Sequence, residues 1–389
     1  MEPSTTCGSY FPIIDGLRTV AIAMVLVEHF GGPLTDLLHW GYYGVDLFFV
    51  ISGFLITGIL LRRGDASFGE AYWRFMGRRT LRIFPLYYGV VALLVCTGFA
   101  NATAEAPWLL SYTWNYRAAM IDGDNPIFYL WSLSVEEQFY LIWPLFVLAL
   151  HRQKAWLIGG TAMVVVFGLS QLVFDIVPAI SAFNYTGLPN RMGSLGAGAM
   201  AAILLRFDIG ASIRRRMAAF RVLALPTIAA ALVWDSTWRL AVLPLASAVM
   251  VASAAGPGVG LRFLDELLCR PLMVGIGRIS YGIYLFHWPL GMWFTHAVFD
   301  PVWAQIDFES WGVLAKLRWH SWIVKLPVVT IISILSAAIS FRYFERPLLR
   351  LKEIWFPPPK TPSSSTSSAM GPAMQSPDAV ERGPVADGS

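Results

Sequence analysis

Apolar runs as long as a bilayer is thick recur along this chain, and that recurrence leaves few folds open. A hydrocarbon core of about 30 Å needs roughly 20 residues of helix to cross it. Lipid offers no hydrogen-bond partners, so a crossing segment must satisfy its own backbone. Such runs are read at 12–31, 44–62, 81–100, 132–150, 156–175, 190–206, 220–234, 239–255, 271–296 and 323–345. Those between 190 and 255 are short and rich in Gly, Ala and Pro, which lets them tilt or break. Composition agrees with this reading. Hydrophobic residues make up 56% of the chain and charged ones 14%, against about a quarter charged in a soluble domain. Mean hydropathy is +0.57. The expected fold is all-α, a polytopic membrane helix bundle of about ten transmembrane helices.

The distribution of charge sets an expected orientation. With the N-terminus in the cytoplasm, the connections on that side collect Arg62, Arg63, Arg74, Arg78, Arg79 and Arg82, then Arg152, Lys154, Arg214, Arg215 and Arg216, and finally Arg342, Arg346, Arg350 and Lys352. The opposite side holds few basic residues, among them Arg117, Arg191 and Arg239. This asymmetry follows the positive-inside rule with ten spans and both termini cytoplasmic, in an inner or plasma membrane. The basic loops are therefore read as setting topology rather than binding nucleic acid. The first residues, MEPSTTCGSY, lack the basic region of a cleavable signal. Cys7, Cys96 and Cys269 have neither disulfide-framework nor metal-ligand spacing, so no metal is expected. Residues 1–356 read as one transmembrane domain, and 357–389 as a Pro-, Ser- and Gly-rich disordered cytoplasmic tail.

Charge inside the apolar runs points to chemistry. The first run, LRTVAIAMVLVEHF, holds Arg18 and His29. At 100° per residue these two return to nearly the same helix face, roughly 16 Å apart along the axis. A charge deep in a bilayer costs about 2.5–3.5 kcal/mol on insertion scales, which makes such residues functional candidates. In the expected orientation Asp46, Glu136, Glu137 and His287 reach a depth similar to that of His29. A neutral His29 suits a general base, and Asp46 or one of the glutamates suits the group that orients it. Glu136 and Glu137 lie 100° apart on a helix, so one of them faces the interior, and spacing does not say which. Glu136, His287 and Trp131 are the candidate acceptor-binding residues. The plainer readings are a helix-terminal Asp46 and an interfacial His287.

The arginine run YWRFMGRRTLRIFPLYY lies at the cytoplasmic end of the third segment. Arg79 and Arg82 share a helix face, with Arg78 adjacent. Guanidinium groups match phosphate oxygens, so the three are candidates for holding a phosphorylated donor, topology or headgroup binding being the alternative. In FRYFERPLLR, Arg342 and Glu345 are spaced for an ion pair.

Taken together and in order, Arg18 with His29, GVDLFFVISGF, the Arg79–Arg82 pair, SLSVEEQFYLIWP, SYGIYLFHWP and FERP resemble the acyltransferase-3 family of integral-membrane acyl-group transferases. The motifs run from Ile14 to Pro347, nearly the whole membrane part. The resemblance implies O-acylation, most often O-acetylation, of a hydroxyl on a carbohydrate or small molecule, with acyl-CoA as donor. It carries His29 over as the base, Arg18 as its motif partner, and Arg79 and Arg82 as arginines near the donor. It leaves the roles of Asp46, Glu137 and Glu345 open. No Ser or Cys stands out as a nucleophile, which favours direct transfer over an acyl-enzyme. The competing reading is a proton-coupled transporter, which also uses buried Arg, His and Glu but has no need of the arginine pair.

Overall fold

The computed structural model describes residues 11–357, apart from 39, 122–124, 175, 178–182, 184, 208–210, 234–236 and 255–260, and apart from the side chains of 36–38, 40 and 211–219. The expected tail falls outside the described residues from 358 onward. Among the described residues all regular structure is helical. The long helices are α1 (Pro12–Phe30), α2 (Trp40–Leu61), α3 (Phe68–Cys96), α4 (Trp131–Leu150), α5 (Lys154–Phe174) and α6 (Leu188–Arg206). They continue as α7 (Ala211–Val233), α8 (Arg239–Ala254), α9 (Pro271–Trp293), α10 (Trp322–Ser340) and a C-terminal α11 (Arg346–Trp355). Short helices at Ala102–Leu110 and Trp114–Ala118 fold over one end between α3 and α4.

Each expected apolar run is occupied by a helix, α1 to α10 in order. Length and apolarity together single out five candidate membrane spans among the described residues: Gly41–Leu61, Phe68–Cys96, Phe128–Leu150, Lys154–Phe174 and Trp322–Trp355. Two further apolar helices, Phe220–Val233 and Arg239–Ala254, are shorter. The expected count of about ten crossings is therefore only partly supported. The shortfall has physical reasons: α1 carries Asp15, Arg18 and Glu28, and α6 is rich in Gly and Ala, carries Asn190 and Arg191 in its first turn, and is buried on most sides.

α3 starts well before the expected 81. Ser67 caps it, its side chain accepting the Glu70 N–H at 3.3 Å, and Glu70 pairs with Arg74 one turn on. The arginine run is thus the first half of the helix whose second half is apolar.

Small residues let the central helices touch backbone to backbone. A Cβ on Gly53 of α2 would lie 1.9 Å from the Leu195 carbonyl oxygen of α6, and one on Gly198 of α6 would lie 1.9 Å from the Val50 carbonyl oxygen of α2. α1 lies between α2 and α9, and Gly277 of α9 meets the Asp15 carbonyl oxygen of α1 as closely. Buried ion pairs add cross-links: Arg191 of α6 with Asp46 of α2, and Arg221 of α7 with Asp265 of the short helix Arg262–Leu268.

Candidate active site

Two cavities lie along α1. The first, about 190 Å³, is lined by Arg18, Arg79 and Arg82, with Glu136, Tyr140 and Ser52 opposite. Three helices supply the guanidinium groups and acid: α1 gives Arg18, α3 gives Arg79 and Arg82, and α4 gives Glu136. Arg79 lies over the Tyr140 ring, 5.2 Å from its centroid. Tyr140 and Ser52 share a hydrogen bond of 2.7 Å. Arg18 touches Asp15 only loosely, at 3.9 Å, and Asp15 is also approached by Arg278 at 3.6 Å. Three guanidinium groups thus line a narrow space with one carboxylate, an excess of positive charge that suits an anionic guest. Arg82 also lies near Glu345, which accepts a hydrogen bond from Ser340 at 3.4 Å. The expected Arg342–Glu345 pairing gives way to this arrangement, and Arg342 lies instead over the Tyr343 ring.

The second cavity is wider, about 830 Å³, and lined by Glu28, His29, Tyr42, Asn125, Tyr129, Trp131, Tyr185 and Trp288. Aromatic faces with a few polar tips are the usual dress of a site for a polar, ring-bearing ligand. Glu28 accepts the Gly41 N–H at 3.0 Å through one carboxylate oxygen. His29 packs edge-on against Trp288, with ring centroids 4.4 Å apart. Its Nδ1 lies 2.9 Å from Nε2 of His287 on α9. The two imidazoles are within 8° of parallel, their centroids 5.0 Å apart. His287 is fully buried, and its Nδ1 lies 2.5 Å from the Tyr284 carbonyl oxygen.

Val45 and Tyr284 line both cavities. The Tyr284 hydroxyl donates to the Tyr129 carbonyl at 2.7 Å and lies 2.7 Å from Ser132 Oγ. Pro289 supplies the reason α9 is held so firmly here. It has no N–H, so the Leu285 carbonyl loses its helical partner. The Tyr129 hydroxyl donates to that carbonyl at 3.0 Å.

The expected site residues divide between these places. His29 and Trp131 line the wide cavity, with His287 directly behind His29. Arg18, Arg79 and Arg82 line the narrow one. Glu136 joins the arginines rather than His29, against the expectation of a shared depth, because its turn of α4 faces α1 and α3. Glu137, the next residue, lines neither cavity and is 8% exposed, with one carboxylate oxygen buried and unpartnered. Asp46 also lines neither cavity. Its Oδ1 accepts from Ser194 at 2.8 Å and from Arg191 at 3.3 Å, so its partners are on α6 and not His29. Arg191 is held further by the Tyr185 carbonyl at 2.7 Å and by the Tyr185 ring. Arg78 is turned away from the narrow cavity: it makes a bidentate pair with Glu353 of α11 at 2.8 and 3.1 Å and donates to the Phe356 carbonyl at 2.6 Å. Sequence reasoning missed Glu28, Tyr140, Tyr284 and Trp288. Glu28 was signalled by its place beside His29, and Tyr284 by lying one turn before His287.

With this geometry in hand, comparison with known proteins fixes the class. The profile of the family described as "Acyltransferase domain" matches residues 11–341, and the chain belongs to that family. With its long apolar helices it is an integral membrane member of that family. Among its relatives, O-acetyltransferase OatA of Staphylococcus aureus is 26% identical over 376 residues, covering 87% of this chain and 57% of the relative. Peptidoglycan O-acetyltransferase OatA of Listeria monocytogenes is 27% identical over 376 residues, covering 87% of this chain and 56% of the relative. The chain thus spans little more than half the length of these relatives. No solved structure matches it.

Proposed function

We propose that this chain is a membrane O-acyltransferase that moves an acyl group, acetyl in the first instance, from cytoplasmic acyl-CoA to a hydroxyl of a cell-envelope or exported carbohydrate. The observation that carries the reading is the shared wall of two unlike cavities, one cationic and narrow, one aromatic and wide, meeting at Val45 and Tyr284. Coenzyme A is an anion, and its thin pantetheine arm suits the narrow space. Arg18, Arg79 and Arg82 hold the donor's polar groups in this scheme, Arg79 and Arg82 through charge-assisted hydrogen bonds. In this scheme the nucleotide stays at the arginine mouth.

In the wide cavity His29 takes the proton of the acceptor hydroxyl. The hydroxyl oxygen attacks the thioester carbonyl carbon, the new carbon–oxygen bond forms, and the carbon–sulfur bond breaks. His29 returns its proton to the departing thiolate, so that one thioester and one alcohol become one ester and one thiol. The orientation follows the basic asymmetry of the sequence, with both termini and the arginine mouth cytoplasmic and His29 toward the outer face. Trp131, Glu28 and Glu136 contribute binding: the first two face the acceptor, and Glu136 balances the arginines beside the donor. Asp46 and Glu137 support the helix packing in this scheme rather than the chemistry. The name of the Listeria relative makes a peptidoglycan sugar hydroxyl the first acceptor to test.

The test is transfer of labelled acetyl from acetyl-CoA to candidate glycans by the purified protein in proteoliposomes. Wild type transfers label, His29→Ala does not, and Arg82→Ala transfers label only at acetyl-CoA concentrations well above those wild type needs. Undiminished transfer in both variants overturns the site. Accumulation of glycan or acid in the vesicles without ester formation overturns the enzyme in favour of a carrier.

A further inference from the structure

The sequence leads one to expect a carboxylate behind His29. The structure has an imidazole there instead, and its hydrogen-bond chain has one consistent direction. A carbonyl oxygen only accepts. Nδ1 of His287, 2.5 Å from the Tyr284 carbonyl oxygen, therefore carries a hydrogen and donates it. In a neutral His287 the other nitrogen, Nε2, is then a bare lone pair. It faces Nδ1 of His29 at 2.9 Å. That contact needs one hydrogen, and only His29 can supply it. The proton of neutral His29 thus sits on Nδ1, and Nε2 of His29 is left as the basic nitrogen.

We infer that His287 is a positioning residue: backed by the Tyr284 carbonyl, it fixes the tautomer and plane of His29 so that the basic nitrogen of His29 is the one free to meet an acceptor hydroxyl. The near-parallel rings fit this role, because an in-plane N–H···N contact aligns donor hydrogen and lone pair. The surroundings hold the device still. His287 is fully buried, Pro289 stops the helix from offering competing N–H groups to Leu285, and Tyr129 holds the freed carbonyl. Trp288 closes the open flank of His29 edge-on. When His29 takes a proton, its Nδ1–H still points at a lone pair, so the cation forms without rearrangement. His287 thereby supplies what the sequence led us to seek in Asp46 or Glu137.

This inference rests on His29 being the base, and the experiment separates the two. His287→Phe fills the space and removes the acceptor. His287→Gln keeps a side-chain oxygen that accepts from His29. With acetyl transfer as readout, His287→Phe is expected to lose about 100-fold in kcat, with KM for donor and acceptor unchanged, within the range of acid–base contributions. His287→Gln is expected to recover to within about tenfold of wild type. Nitrogen-15 spectra of histidine-labelled protein in nanodiscs, with His29 assigned by difference from His29→Ala, are expected to show His29 protonated at Nδ1 in wild type and shifted toward Nε2 in His287→Phe. Full kcat in His287→Phe beside a dead His29→Ala overturns the positioning role alone. Full activity in His29→Ala overturns the base and this inference with it. Equal losses in the Phe and Gln variants with an unchanged His29 tautomer mark a packing role and overturn the inference. So does a wild-type spectrum with His29 protonated at Nε2, a result available even if the Phe variant fails to fold.

Discussion

The two cavities are built on opposite rules, though they share a wall. The narrow one is walled by helix: α1, α2, α3, α4 and α9 supply its lining, and three guanidinium groups and a carboxylate stand among its serine and tyrosine hydroxyls. The wide one borrows from connections as well, taking Asn125, Phe128 and Tyr185 from outside the long helices, and its polar groups are tips of aromatic rings, an amide, a threonine hydroxyl and one carboxylate. A guest in the first is held by electrostatics in a low-dielectric space and has little freedom of shape. A guest in the second is held by ring faces and directed hydrogen bonds. A carboxyl-bearing or phosphate-bearing guest is favoured where three arginines meet and disfavoured beside Glu28. Substitutions on the two sides should accordingly damage different kinetic constants.

The largest expected effect is at the chemical centre. His29→Ala should lower kcat for acetyl transfer by about 10³-fold, with donor KM unchanged. A large rise in donor KM instead would break the division between cavities by showing that His29 contributes to donor binding. Next in size is Asp46→Asn, which leaves Arg191 buried without its counter-charge. Breaking a buried pair costs about 3–5 kcal/mol, so the midpoint of thermal unfolding in detergent should fall, while KM values of the folded fraction stay put. Arg82→Ala should raise donor KM by about 10- to 100-fold, the value of a charged hydrogen bond, and leave acceptor KM alone. The smallest effect is expected from Tyr42→Ala at the rim of the wide cavity, where loss of one aromatic contact worth about 0.5–1.5 kcal/mol should raise acceptor KM several-fold and spare the donor. A Tyr42 variant that altered donor KM would show the cavities to be one site.

Part of this was legible in advance and part was not, for a physical reason. Hydropathy and helical spacing report length, depth and the face on which a residue sits. They gave ten apolar segments, each a helix, and put Arg18 and His29 on one face of α1, where they line the two cavities in turn. They also paired Arg79 with Arg82. They do not report which helix stands opposite. Asp46 has its partner on α6, 145 positions away, and nothing near Asp46 announces Arg191. His29 meets His287 across 258 positions, and two histidines carry no charge complementarity to suggest the match. Glu136 and Glu137 illustrate the limit most simply: one step along α4 separates a residue among the arginines from one lining neither cavity, and the step could be counted but not oriented. The crossing number is supported only in part, since helices shielded by neighbours need not look like lipid-facing ones.

The clasp on Arg78 has a consequence for how the protein is handled. Glu353 and Phe356, which hold it, follow it by 275 and 278 positions, so almost the whole chain is synthesised before α3's basic turn acquires its cover. A version cut short ahead of Glu353 would leave the Arg78 guanidinium without these partners at the basic end of α3. Tags and fusions are therefore better attached beyond Phe356 than in place of α11.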